Sequence, residues 1–360
     1  MLAYRLKIAR KKAGLSLREL AGRLDPPLSA QAISKYESDQ MMPSSSVLVG
    51  LAKALGTSLE FLMSGEVAGL EGIEFRKHST STAQDRAQVE AAVTEQLERM
   101  FAIEDILEIE EPADAFAGLC VGNLASLEEA EAQADRVRQA WNLGGDAIPG
   151  LTGLLEIKGI RVIEADLPNR VSGMACHVRR RGAETDLPVI VFSSRFNVER
   201  KRFTLAHELG HRIIRSTAPD GPRLEKAIDR FAGAFLVPAA HLRDALGGRR
   251  HTVVYEEIKR LKHFYGVSAA SLLMRLGQVS ILPDHVIAYA FRTVAKAWRR
   301  QEPDELTDDH GLAALEKPRR FESLVYRALA ERMISTVRAA ELLSRPLSEV
   351  EAGLKGPDAQ

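Results

Sequence analysis

The chain has 360 residues, more than one ordinary compact domain needs and enough for two or three. With 45% hydrophobic and 27% charged residues it can bury real cores, which excludes a chain disordered throughout. The formal net charge is zero, and the two cysteines, Cys120 and Cys176, are too far apart in sequence to suggest a disulfide framework or a thiolate metal site.

Residues 1–66 form the first expected domain, four or five short helices. Ser16-Leu17-Arg18-Glu19 and Thr57-Ser58-Leu59-Glu60 are capping-box patterns, and Asp25-Pro26-Pro27 and Met42-Pro43-Ser44 break the helical runs. Residues 1–65 carry nine Lys/Arg against five Asp/Glu, with five of the basic side chains in the first twelve positions. A basic head of this kind fits a nucleic-acid partner. Ser29 can cap a helix in which Ile33 faces the core while Gln31, Ala32, Ser34 and Lys35 face outward, as a reading helix in the major groove requires. Gln31 can pair with adenine; Lys35 and the basic N-terminal helix can hold phosphates. Leu20-Ala21, Ser29–Glu37, Pro43-Ser44 and Leu51–Gly56 resemble the Xre/Cro type of helix-turn-helix, which implies binding to double-stranded DNA. The Asp25–Leu28 turn is longer than usual there, and Leu17 and Ala30 stand where glutamine is frequent.

Residues 67–124 read as a helical connector. Val67–Ala83 has the composition of a loop, with a short extended piece at Ile73–Phe75. Val89, Val93, Leu97, Met100, Ile103 and Leu107 then recur at three- and four-residue steps, the period of an amphipathic helix. This stretch is acidic, ten carboxylates against two basic residues over 84–114.

Residues 125–285 form the third unit. Ser126 opens a helix running to about Trp141, another precedes Gly159, and Ile160–Glu164, Gly173–Val178 and Val189–Ser193 have the length and β-branched content of strands. Val189–Ser193 is the expected edge strand, available to pair with an extended peptide. The helix after them carries His207-Glu208-Leu209-Gly210-His211. Imidazoles at i and i+4 lie one turn apart on one face and can share a metal ion, while Glu208 lies beside that ion as a base. A catalytic zinc needs a third protein ligand and an open position. Glu225 and Asp229, one turn apart on the next amphipathic helix, suit a third ligand and an acceptor that fixes a ligating histidine's tautomer. No oxyanion partner is identified: Tyr255, His251 and His263 lie downstream and could reach, but each reads first as a surface or packing residue; His177 and His241 have no ligand spacing to the motif.

Arg202–His211 followed by Asp229–Pro238 resembles the ImmA/IrrE metallopeptidases over roughly residues 126–280, with Val237 where that family usually has Met. The resemblance implies a gluzincin-like Zn2+ site and proteolysis of a partner repressor, or of the chain itself, in a stress or mobile-element response. The expected fold is α+β and mostly helical: an all-α head, a helical connector, a gluzincin-like domain with a small sheet, and a helical tail over 286–360, where Ile334–Leu343 resembles a hairpin of the same relatives. The expected partners are DNA and a protein substrate, with a homodimer allowed; no membrane partner is expected, because no stretch approaches the roughly 18 apolar residues a span needs. A cytoplasmic location is expected. The rival readings are a transcription factor whose zinc domain is structural or sensory, and an antitoxin-like or mobile-element interaction protein in which the fold only grips a partner.

Overall fold

The structure, a computed structural model, describes residues 2–57, 59–63, 65–72, 82–110, 114, 116–124, 126–168, 171–183, 185–215, 222–298, 300–307 and 311–355. Five helices make the head: α1 (Leu2–Lys12), α2 (Leu17–Gly22), α3 (Ala30–Glu37), α4 (Ser45–Leu55) and α5 (Leu59–Met63). Ser16 and Glu19 form a reciprocal capping box, and Ser29 and Ser44 accept from the third backbone N–H of α3 and α4. Leu6, Leu20, Ile33, Leu51 and Leu62 close its core. The Thr57–Glu60 box includes Ser58, which lies outside the described residues.

A strand, β1 (Val67–Glu71), leads towards the long helix α6 (Ala83–Ile106). Next come α7 (Leu127–Ala140), α8 (Leu151–Ile157), β2 (Arg161–Ala165), β3 (Gly173–Arg180), β4 (Leu187–Ser193), α9 (Val198–Ile213) and α10 (Pro222–Leu236). The rest is helical: α11 (Ala239–Leu246), α12 (Tyr255–Tyr265), α13 (Ala269–Gln278), α14 (Asp284–Arg292), α15 (Leu312–Leu315), α16 (Arg320–Ala330), α17 (Thr336–Leu343) and α18 (Leu347–Lys355).

The sheet runs β1-β3-β4-β2, antiparallel except for the β2–β4 pair. Its strands are apolar on both faces because both are covered. Ala175, Ile190 and Phe192 pack on the side of α9, whereas Met174, Cys176, Val189 and Val191 pack on Val93, Leu97 and Phe101 of α6. The tail helices α16–α18 close a separate small core against Ile103 and Leu107 of α6.

Two sequence expectations change here. Residues 67–71, read as loop, form a strand, and the extended piece at 73–75 lies outside the described residues. Val-Ala-Gly-Leu-Glu has little β-propensity. Its conformation comes from β3 on one side and from Glu98 of α6, whose carboxylate accepts Val67 N–H at 2.8 Å and Glu66 N–H at 3.3 Å. Val189–Ser193 is not an edge: β4 sits between β3 and β2, and the edges are β1 and β2. A short apolar run reads the same whether one or both of its neighbours are present, so its place in the sheet order was not legible.

Candidate metal centre

Asn197 caps α9 by accepting Arg200 N–H at 3.1 Å, and two buried ion networks then fix the helix along its length. Glu199 pairs with Lys262 of α12 and accepts Leu306 N–H at 2.9 Å. Arg202 pairs with Glu316 and donates to the carbonyls of Ile148 (2.7 Å) and Tyr265 (3.1 Å). One turn beyond this anchor the helix brings up His207.

His207 Nε2 stands 3.1 Å from His211 Nε2, and Glu225 of α10 reaches both, with Oε2 at 3.5 Å from the first and Oε1 at 3.6 Å from the second. Three donor atoms at such separations are what a tetrahedral ion demands: zinc bonds of about 2.0–2.1 Å put neighbouring ligand atoms roughly 3.3 Å apart. The residues present therefore fit a zinc ion, and they are the sole group of this kind among the described residues. Asp229 Oδ1 lies 2.8 Å from His207 Nδ1, a distance at which a proton on Nδ1 would be held by the carboxylate and Nε2 left as the lone-pair donor.

The close approach of α10 depends on Gly210. A Cβ there would fall 2.9 Å from Ile228 Cγ2 and 3.1 Å from Phe231 Cδ1, tighter than packed atoms tolerate. Glu208 points the other way round the helix, towards the sheet, and is only 2% exposed. Its neighbour is Gly173 at the start of β3, where a Cβ would collide with Thr204 Cγ2 and the Val191 carbonyl and lie 3.5 Å from Glu208 Cγ. A bare backbone at 173 thus lets β3 pass directly beside the carboxylate.

In the head, α3 presents exposed Gln31, Ser34 and Lys35, with Ala32 half-buried and Ile33 fully buried. Arg10 holds α1 to α3 through Glu37, at 2.6 and 2.7 Å. Lys7, Lys11 and Lys12 are exposed, but Arg5 is not available to a phosphate: it is buried, paired with Glu98 of α6, and donates to the Phe61 carbonyl at 2.7 Å.

Residues 155–277 match the family model of the IrrE N-terminal-like domain, Peptidase_M78, and residues 6–62 match that of the helix-turn-helix. The chain joins a helix-turn-helix head to a Peptidase_M78 domain. Comparison with curated proteins gave no match, nor did comparison with solved structures. The head is thus of a DNA-binding class, and the central domain is of a metallopeptidase family. No helix among the described residues is long and apolar enough to cross a membrane.

Within the Peptidase_M78 domain two of the three downstream oxyanion candidates, His263 and Tyr255, are engaged elsewhere, and His251 is an exposed surface residue. His263 faces Asp304 at 2.6 Å, and Tyr255 lies against the ring of Trp298. His241 takes the hydroxyl of Tyr265 at 2.9 Å. His177, set aside in the sequence for want of ligand spacing, lies on the α9 face of β3 with Nδ1 2.9 Å from Arg212 Nη1. Burial and the Arg212 guanidinium push its imidazole down to about 4, so at neutral pH it is an uncharged acceptor for the arginine that follows His211. Nothing in the local pattern announces this pair, since the two residues are far apart in sequence and meet only once β3 lies along α9.

Proposed function

We propose that the Peptidase_M78 domain is a zinc-dependent endopeptidase acting on a protein partner of repressor type, and that the head carries this activity to double-stranded DNA. The observation that carries the reading is the convergence of His207, His211 and Glu225 beside a buried Glu208. A purely structural metal site has no use for that second carboxylate.

When bound, zinc supplies a Lewis acid that acidifies water and polarises a carbonyl. The protein's own residues do the rest. Asp229 keeps His207 in the tautomer that leaves Nε2 unprotonated, and Glu225 adds a negative donor. Glu208 takes up a proton as the nucleophile attacks and returns it to the leaving amine. Its burial strengthens each of these charge interactions. The peptide belongs on β3 and not on β4. Between Gly173 and Cys176, β3 has β4 on one side and, among the described residues, no strand on the other, because β1 pairs only with 177–180. An extended chain added there passes Glu208 at Gly173. In the head, Gln31 reads an adenine edge, Ser29, Ala32 and Ser34 bring the start of α3 to the groove, and Lys35 with Lys7, Lys11 and Lys12 holds phosphates.

The test compares the zinc-loaded protein with its Glu208→Gln variant in a cell lysate, with new N-termini counted by mass spectrometry. Cleavage is expected to fall by about 100-fold or more, with one zinc retained per chain. Equal sets of termini at equal zinc content would sink the peptidase reading and leave a sensory or structural zinc domain.

A further inference from the structure

α8 and the segment 314–319 part to form a cleft of about 540 Å³, within the size range of small-ligand sites. Leu143, Ile148, Leu154, Ile157 and Leu315 line it. Two of these stand on the lips with large apolar surfaces in water: Ile157 is 78% exposed and Leu315 51%. The gap between the two walls is set by glycines. At Gly150 the Leu315 carbonyl would be 3.3 Å from a Cβ, so the walls touch. One helical turn on, a Cβ at Gly153 would meet nothing within 4 Å, so the walls stand apart. A glycine inside a helix costs about 1 kcal/mol against alanine, a cost without a packing reason at Gly153 unless the space is used.

The charge around the cleft is mainly positive. Lys317 and Arg319 line it, both exposed, and neither forms an ion pair with a described residue. The one carboxylate facing it, Glu156, is turned to the backbone N–H groups of Arg319 and Arg320 at 3.3–3.4 Å, and burial pushes its carboxyl up to about 7.

We propose that this cleft binds a small apolar carboxylate, its hydrocarbon part lying against Leu154, Ile157 and Leu315 over Gly153 and its acid group facing Lys317 and Arg319. Such a ligand bridges α8 to the segment that delivers Glu316 to Arg202, and so bears on the helix that carries the histidines. The site is independent of peptidase activity.

Octanoate and octanol are the paired probes, read on the full-length protein by thermal melting and by the emission of Trp141, whose neighbour Asn142 lines the cleft. Octanoate is expected to raise the melting temperature saturably and to bind about fivefold more tightly than octanol, the preference two solvent-facing cations can give. Gly153→Leu fills the space with a better helix former and is expected to abolish binding of both probes with the circular dichroism unchanged. Lys317→Gln with Arg319→Gln is expected to remove the preference and keep the octanol affinity. Equal binding of the two probes by the unaltered protein would overturn the carboxylate assignment. Absence of binding, or octanoate binding that survives Gly153→Leu, would overturn the site. If Gly153→Leu fails to fold, Ile157→Glu on the exposed lip takes its place, with the same loss of octanoate expected.

Discussion

Asp229 is an exposed side chain whose Oδ1 nevertheless sits 2.8 Å from His207 Nδ1. Under the proposed zinc reading, that contact sets which nitrogen of His207 is left for the ion, and the carboxylate acts through the ring. Replacing it with alanine frees the ring to rotate and to carry its proton on either nitrogen. Asp229→Ala is expected to weaken zinc binding by roughly 10- to 100-fold without loss of fold, measured by competition against a chromophoric chelator. An unchanged affinity would mean that packing alone orients His207. Of these residues, the histidine pair and the Glu225/Asp229 pair were legible because each lies within one helix at i,i+4, where spacing alone fixes a common face. Gly173 and the Arg212–His177 pair were not. Their importance arises only when β3 is laid along α9, a contact that no periodicity encodes.

At the scale of elements, α9 is held less by its own propensity than by distant charges. Arg202 and Glu316 are both buried, and Glu316 also accepts Leu151 N–H and Thr152 N–H at 2.9 Å each, which supplies the missing cap of α8. Gly150, the residue at the cap position, has no side chain to do so. Glu316→Ala would leave Arg202 charged and unpaired in the core, at an expected cost of about 3–5 kcal/mol in urea unfolding; a cost near that of a surface substitution would show that water reaches the site. Glu156 plays a comparable role at the start of α16, and its burial outweighs the backbone N–H groups it accepts, so its carboxyl is raised from 4.5 to about 7. A folded state that holds this proton while the unfolded chain releases it is favoured below pH 4.5, and the advantage is lost as the pH rises to 7. Glu156→Gln is therefore expected to flatten the fall in stability over that interval, an effect on the order of 3 kcal/mol at its largest. A slope identical to that of the unaltered chain would exclude Glu156 as its source. The helical pattern, three of the four strands and the helical tail were readable from period and turn chemistry. The two anchors were not, because one joins α9 to Lys262, 63 positions later, and the other to Glu316, 114 positions later, and no local period links such distant residues.

The whole molecule is joined at one helix. The inner face of α6 packs on the sheet, its C-terminal end packs on the tail, and its outer side receives the head through Tyr4, whose hydroxyl donates to Glu90 at 3.0 Å and accepts Leu70 N–H at 3.3 Å. Glu98 is the centre of this junction, since the same carboxylate pairs with Arg5 of α1 and accepts the N–H groups of Glu66 and Val67 at the start of β1. Burial lowers the Arg5 guanidinium to about 10, a measure of how completely this cation has left water. The acidic character of 84–114 and the basic character of the head pointed to a tethered pair of units; that the two charges meet directly in one buried contact is a property of the fold. It follows that the head does not hang from a free linker: its docking and the pairing of β1 with β3 share an anchor. Glu98→Ala is expected to release both together. The measurement is hydrogen exchange at the amides of Val67 and Leu70 and of α1, which should quicken in concert while the amides of β4 keep their rates, because β4 is held from both sides. Faster exchange in α1 with β1 unaffected would show that the strand is secured by β3 alone, and that the head can leave without disturbing the edge beside Glu208.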